Sequence, residues 1–550
     1  MKIITKKINN EYKFFLKNDS PETIYPDEVI VMKGKMPFKK NTRAYCDGFN
    51  MLSQYIGTVG NMECMGPYSD GGHYKLPQKV GYFTGYNYAL FFEKQTTLWG
   101  FTSCRRFCGE IRFNSDKYEI AERLYNIPIN SGEIIELESL CILTGEKNNV
   151  LNVFAETIQK NHPAKKTKTP PSGWCSWYCF GADVTEKDIE NNMSAMKENF
   201  DFMKYVLIDD GYQKKMGDWL EDSIKFGSMN KICSKIKASG ALPAIWAAPF
   251  IAEKDSEVLK RHPEYFIYNE KGAPLAADKV SFGGWRCAPW YMLDGTNPAA
   301  VKHIKNVFIE MKKRYGCNYF KLDANMWGIL PFGKRYDSTK TPIEAYRNIM
   351  EAICEAVGED GFVLGCNAPM WASLGLVNGM RTSGDVSRNI NVFELSAKEN
   401  LFRAWQNNKL WLCDPDCITI ANNIKNMVDG GGNTAENEFL SETDFCYCAA
   451  YLFASGASIL FSGDDMTLYS KKQTETIKKI KNSDNDNICF ENDKFEISKN
   501  GKYIVILNDS DKEKSFNFNC GKMKDFLDDQ DIVNPVKVSA HSGKIIEFSH

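Results

Sequence analysis

The sequence predicts an α/β protein: a central (β/α)8 TIM barrel with a β-rich N-terminal domain and a small C-terminal β domain. Three observations carry this. From Gly173, short apolar runs alternate with amphipathic helical segments over about 300 residues, which is the rhythm of a barrel. Before that point, strand-like runs lie between Gly, Asn and Pro breaks. After about residue 484 the helical pattern stops and strand-like runs return. The expected domain bounds are 1–160, 161–483 and 484–550.

The elements follow in order. "EYKFFLKN", "EVIVMKG", "GYFTGYNYALFFE" and "GEIIELESLCIL" read as N-terminal strands, with no clear helical period up to about residue 158. The stretch "QYIGTVGNMECMGPYSDGGHY" reads as a loop able to lend an aromatic residue to a pocket. "KNHPAKKTKTPPSG" is basic and Pro-containing, and predicts a linker. The eight barrel strands are "GWCSW", "YVLIDDG", "LPAIWAAP", "NYFKLDA", "FVLGCN", "GMRTSGD", "KLWLCDPD" and "SILFSGD". One helix starts after Thr185, a cap with Asp188 three residues on, and puts Ile189, Met193, Met196 and Phe200 on one stripe. Another starts after Asn297 with Pro298 in its first turn and stops at Gly316. A third, "TPIEAYRNIMEAICEAVG", opens the same way. A doubly wound sheet is the competing architecture. It calls for a Gly-rich phosphate loop after the first strand, and "GWCSWYCFG" is not one. Near the end, Asn500-Gly501 predicts a turn between two strands, and "GKIIEFSH" a further strand.

Composition excludes several functions. The chain has 550 residues, a net charge of -2, 43% hydrophobic and 25% charged residues. Nothing in that balance draws it to nucleic acid or to an anionic membrane. No run of about 18 apolar residues predicts a membrane span. The opening "MKIITKKINNEYKFF" has no apolar signal core, so a cytoplasmic location is expected. The 18 cysteines form no CxxC, and the pairs Cys104/Cys108, Cys175/Cys179 and Cys413/Cys417 lack matching histidines; buried, reduced thiols are expected. Six histidines without HxH or HExxH argue against a metal-dependent hydrolase, so no metal site is predicted.

The chemistry of a barrel sits at the C-terminal ends of its strands. Here those ends carry Asp209-Asp210, Trp246, Lys321 with Asp323, Cys366-Asn367, Arg381 with Asp385, Asp414 with Asp416, and Asp464-Asp465. Any one of these acids reads equally as a helix cap. Together, with Lys321 and Arg381 among them, they describe a rim for a neutral, hydroxyl-rich ligand. Trp174, Trp177, Trp246, Trp285, Trp290, Trp327 and Trp371 lie in or near strand ends. An indole face suits the C–H face of a sugar, although core packing is the ordinary role of such a residue. Carboxyls and aromatics without histidine or metal ligands point to glycoside chemistry, which needs two carboxyls in different protonation states. Lys321, two residues from Asp323 on one strand face, favours an ionised Asp323 as nucleophile. Asp385, in the flexible loop "RTSGDVS", is then the acid.

From about 171 to 417 the chain resembles glycoside hydrolase family 36, the bacterial α-galactosidases, in the clan that also holds family 27. The motifs are "PSGWCSWYCF", "IDDGYQKKMGDW", "AIWAAPF", "YFKLDAN", "LGCNAPMWASLGLVNGMRTSGD" and "WLCDPDC". The resemblance implies an N-terminal β-sandwich and a retaining double displacement without a cofactor. Asp323 then matches the nucleophile and Asp385 the acid/base. Asp209 and Asp210 match a pair at the O4 and O6 side of the sugar. Lys321, Arg381, Trp246, Trp177 and Tyr178 match positions near the sugar, and Cys366 with Asn367 stands in the fifth-strand loop. The implied partner is a small α-galactoside. Members often form homo-oligomers, but no interface is readable here.

The chain departs from its relatives in three places. Ala324-Asn325 replaces a bulky Phe, Gly365-Cys366-Asn367 replaces Gly-Cys-Gly, and "VSRNINVF" replaces a Pro and an aromatic. These changes bear on C2 of the sugar and on the leaving group. Two alternatives stay open, an α-N-acetylgalactosaminidase and a galactosyl transferase of the raffinose-synthase type. A non-catalytic sugar-binding protein on the same scaffold is a third reading, since fold alone fixes no function.

Overall fold

The computed structural model of the chain describes residues 1–387, 389–421, 427–428, 434–435, 440–456, 458–483, 485, 489–490 and 497–549. At its centre is an eight-stranded parallel sheet, Ser172–Cys175, Tyr205–Ile208, Leu242–Ala247, Tyr319–Leu322, Phe362–Gly365, Gly379–Arg381, Leu412–Asp414 and Leu460–Ser462. Each pairs with its neighbours in chain order, and the last pairs back onto the first (Ser172 with Leu460). The seventh and eighth meet through a bridge from Ile418 to Ser462, where Ile418 N donates to Phe461 O at 2.7 Å. The sheet is thus a nearly closed barrel. All eight expected strands are present, as is the alternation with helices.

The expected helix signals act where the sequence places them. Thr185 and Asp188 form a capping box for Glu186–Asn199, as do Thr341 and Glu344 for Pro342–Val357. Asn297 caps Pro298–Tyr315, and Gly316 ends it with φ 70°, a left-handed conformation that glycine adopts without strain. Between the third and fourth barrel strands the chain makes a long excursion, pinned by the antiparallel pair Ile251–Glu253 and Trp290–Met292.

The N-terminal residues form a nine-stranded and a four-stranded antiparallel sheet. In Glu11–Lys17 alternation buries Phe14 and Leu16. Rings from the two sheets meet, Phe91 against Phe113 at 5.5 Å and Trp99 against Tyr118 at 4.8 Å, so the sheets pack as a sandwich. Two expectations need correction. A 15-residue helix, Lys147–Asn161, ends the β-rich region and runs across the bound expected at 160. It buries Val150, Leu151, Phe154, Ala155 and Ile158, a helical stripe hidden beside the β runs. The stretch read as a loop holds a hairpin, Gln54–Thr58 with Asn61–Cys64, before it loops out.

At the C-terminus, Tyr503–Asn508 pairs with Ser542–Phe548 and, across the Asn500-Gly501 turn, with Ile497–Lys499. The cysteines whose side chains are described are free thiols, most of them buried. Among the described residues no helix is long and apolar enough to cross a membrane.

Candidate active site

At the C-terminal end of the barrel a cavity of about 540 Å³ opens. Its lining includes Trp177, Tyr178, Asp209, Asp210, Trp246, Lys321, Asp323, Cys366, Asn367 and Asp385. Ten of the eleven expected site residues therefore line one space. Arg381 does not: it is buried, and it meets the lining at Asp385 and Cys366.

The fourth strand points Lys321 and Asp323 toward this space. The Lys321 ammonium pairs with Asp209 at 2.8 Å, both side chains being buried. Burial opposes its charge, but Asp209 together with Cys175, Cys366 and Asp323 outweighs that and raises its pKa well above normal, so it stays protonated. The direct partner of Lys321 is thus Asp209, while its charge also pulls the Asp323 pKa down. Asp323 has other donors: the Trp246 indole N–H at 3.2 Å and the Ala324 N–H at 2.6 Å. Burial nonetheless lifts its pKa, with Lys321 and these two donors pulling the other way.

Asp385 follows the sixth strand and accepts from Arg381 at 2.7 Å. The same guanidinium pairs with Asp416 at 2.9 Å. Asp416 also accepts from the Tyr178 hydroxyl and from Val386 N. Burial raises the pKa of Asp385. Arg381 opposes this, while the negative charges of Asp416 and Asp323 add to it. The two carboxyls therefore face one cavity in unlike surroundings. Asp323 collects donors, whereas Asp385 shares its one cation with another acid.

Asp210 accepts from Gln213 at 2.6 Å and takes both oxygens of its carboxylate to Arg286, whose Nε lies 2.9 Å away. Arg286, Phe282 and Trp285 come from the excursion after the third strand, and the last two line the cavity. Trp285 packs edge-on to Trp290 and Trp327 at 4.4 and 5.7 Å. Of the rim tryptophans, Trp177, Trp246 and Trp285 line the cavity. Trp174, Trp290, Trp327 and Trp371 are buried packing residues. Some rim acids have structural roles, as the plain reading allows: Asp464 accepts from the loop amides Ile420 N and Ala421 N, and Asp465 caps the turn at Met466–Leu468.

The N-terminal sandwich supplies a third wall with Met51, Leu52, Pro67, Tyr68 and His73. Its Tyr74 hydroxyl and Asn50 amide donate to Asn367 Oδ1 at 2.7 and 3.1 Å. Asn367 Nδ2 has no described partner. Ala324 and Asn325 behave otherwise than the sequence suggests. Ala324 takes φ 53°, the chain turns under, and Asn325 donates to Leu322 O; both are fully buried and neither lines the cavity.

The stretch 54–74, expected to lend an aromatic, does so with Tyr68 and His73, whereas sequence reasoning missed Met51, Leu52, Phe282, Arg286 and the helix Ile390–Arg403, which presents Val392, Leu395, Ser396 and Glu399. Only the helix was findable locally, because those positions share one face.

Comparison with known proteins gives the architecture a relative. The model for "Raffinose synthase or seed imbibition protein Sip1" matches residues 145–238. A probable galactinol–sucrose galactosyltransferase of Arabidopsis thaliana is 38% identical over 58 residues, 10% of this chain and 7% of that protein. An α-galactosidase from Thermus thermophilus, solved with p-nitrophenyl α-D-galactopyranoside, superposes with a TM-score of 0.66. It is 19% identical, and the match covers 88% of this chain and 95% of that one. The family 36 α-galactosidase AgaA of Geobacillus stearothermophilus gives 0.66 at 11% identity, over 98% and 79% of the two chains. The chain has the fold of the family 36 α-galactosidases. In that fold the expected site residues stand at the C-terminal ends of the barrel strands, where active sites of such barrels are built.

Proposed function

We propose that the protein is a retaining, exo-acting glycoside hydrolase that removes terminal α-galactosyl residues. The observation that carries this reading is the pair Asp323 and Asp385, facing one cavity beside the buried Asp209–Lys321 ion pair. Asp323 attacks the anomeric carbon, and its oxygen forms the new C–O bond as the glycosidic bond breaks. Asp385 gives its proton to the leaving oxygen. Asp385 then takes a proton from water, which attacks the glycosyl-enzyme and frees Asp323. The donors around Asp323 suit a group that must be ionised, and the acidic company of Asp385 suits one that must hold a proton. Asp209 and Lys321 are placed to meet sugar hydroxyls, with Asp210 braced by Arg286. The solved structures similar to this chain include one described as an α-galactosidase in complex with stachyose, which supports a galactoside as ligand.

The test is turnover of p-nitrophenyl α-galactoside, with the configuration of the first-formed sugar read by NMR. Release of α-galactose supports the reading, and first release of β-galactose sinks the retaining mechanism. A second reading, transfer instead of hydrolysis, is favoured by the raffinose-synthase match at 145–238. With excess sucrose a transferase yields a trisaccharide and little free galactose. A third, α-N-acetylgalactosaminidase activity, now rests on Asn367 alone, whose Nδ2 is available to an acetamido oxygen. Turnover of the plain galactoside only, in a paired assay with the N-acetylgalactosaminide, ends it.

A further inference from the structure

The cavity contains a carboxyl that the mechanism above does not use. Glu399 lies on the helix Ile390–Arg403, on the face that also carries Val392, Leu395 and Ser396. It is 3% exposed and lines the cavity. Its Oε2 accepts from the N–H of Gly384, the neighbour of Asp385, at 2.7 Å. Gln54 of the N-terminal hairpin donates to its backbone carbonyl at 3.0 Å. No described group hydrogen-bonds its Oε1. Oε1 is thus the carboxyl oxygen left open to the cavity, where a ligand hydroxyl can meet it.

Its neighbours place it on one side of the site. A Cβ built on Gly66 falls 3.0 Å from Oε1 and 3.6 Å from Leu395, and one on Gly384 falls 3.4 Å from Oε2 and 4.0 Å from Leu52. Gly66, Leu52, Leu395 and Gly384 thus surround Glu399, whereas Asp209, Lys321, Trp246 and Asp323 form a connected set of their own. Asp385 stands next to Gly384, between the two groups. In a double displacement the acid touches the leaving oxygen, so the space beyond it, away from the nucleophile, is where the leaving group sits. Burial pushes the Glu399 carboxyl up to about 7, with the Gly384 N–H, Arg403 and Arg381 resisting. When the carboxyl holds a proton, Oε2 accepting from Gly384 leaves Oε1 as the oxygen that carries it and donates; when ionised, Oε1 accepts.

We propose that Glu399 is a leaving-group-side binding residue: its free Oε1 hydrogen-bonds a hydroxyl of the sugar that departs from, or in transfer enters, the site beside Asp385. The inference rests on the galactosidase-type reading and adds the class of leaving group, a hydroxyl-bearing sugar. It also separates Glu399 from a mere brace of the Asp385 loop, because a brace acts on every substrate alike.

The experiment compares kcat/KM on an α-galactosyl disaccharide with that on p-nitrophenyl α-galactoside, whose leaving group has no second hydroxyl. In Glu399→Leu the ratio of disaccharide to aryl activity should fall about tenfold, the scale of one lost hydrogen bond, with KM carrying much of the change. Glu399→Gln, whose amide still accepts from Gly384 and donates on its other side, should restore most of the ratio. Gly66→Ala, which crowds Oε1 but leaves Glu399 itself in place, should lower the ratio in the same sense and serves if the Leu variant does not fold. An unchanged ratio in Glu399→Leu and Gly66→Ala overturns the proposal while the wild-type rates leave the galactosidase reading standing. A Gln variant as poor as Leu overturns the donor role. Wild-type protein inert on both substrates overturns the functional reading and this inference with it.

Discussion

The two carboxyls of the cavity are the same residue type on adjacent parts of one barrel, yet they are held differently. Asp323 stands at the end of a buried strand and is fixed by backbone and indole donors. Asp385 stands in a loop and is fixed by one guanidinium that it shares with Asp416. Burial raises both pKa values. The neighbours then differ in balance: at Asp323 Lys321, Ala324 and Trp246 pull down against Asp209 alone, whereas at Asp385 the pull of Arg381 is opposed by both Asp416 and Asp323. The difference teaches that the acid and the nucleophile are told apart here by second partners and not by depth.

The largest expected effect comes from removing the nucleophile side. Asp323→Gly should cost kcat on the order of 10⁴-fold or more, about 5.5 kcal/mol of barrier. Added azide should enter the empty place and give β-galactosyl azide. Asp385→Gly treated the same way should give the α-azide, because there azide attacks the glycosyl-enzyme from the opposite face. Identical azide products from both variants would erase the distinction between the two sides.

Next in size is the buried pair behind the nucleophile. Lys321→Met leaves Asp209 uncompensated in a buried place, which costs about 3–5 kcal/mol of stability. The measurement is urea unfolding. The double variant Lys321→Met with Asp209→Leu should recover part of the loss.

The acid side is probed by pH. Asp416→Asn removes a negative neighbour and frees Arg381 for Asp385, so both changes favour the ionised form of Asp385. The sign follows. Lowering the pKa of a group that must hold its proton moves the alkaline limb of kcat/KM to lower pH. A limb that stays in place would show that Asp416 does not tune the acid.

The same contrast explains what the sequence made legible. Six of the eight strand ends stood out because apolar runs stop abruptly at Asp, Asn or Lys, and strand order then places those residues on one rim. Tertiary partners left no such mark. Asn50 lies 317 positions from Asn367, and Gln54 lies 345 from Glu399. Arg286 reaches Asp210 from an excursion with no strand rhythm of its own. Ala324 and Asn325 misled for a backbone reason: the left-handed turn at Ala324 sends the chain beneath the rim. The helix at 147–161 was missed although its stripe is regular, because it directly follows strands that share its apolar content.

The smallest expected effect tests whether the sandwich, and not the barrel alone, shapes the site. The Tyr74 hydroxyl is one of two donors that hold Asn367 Oδ1 and so aim Nδ2. Tyr74→Phe removes that donor and keeps the ring, which packs edge-on against Trp327 at 5.9 Å. The loss should be about 0.5–1.5 kcal/mol, the value of one hydrogen bond. Asn50 still holds the same oxygen, so the amide loosens without turning away. If Nδ2 contacts substrate, that loss appears in KM, a change of roughly twofold to tenfold. If Asn367 only joins the two domains, it appears in the unfolding midpoint, with KM unmoved.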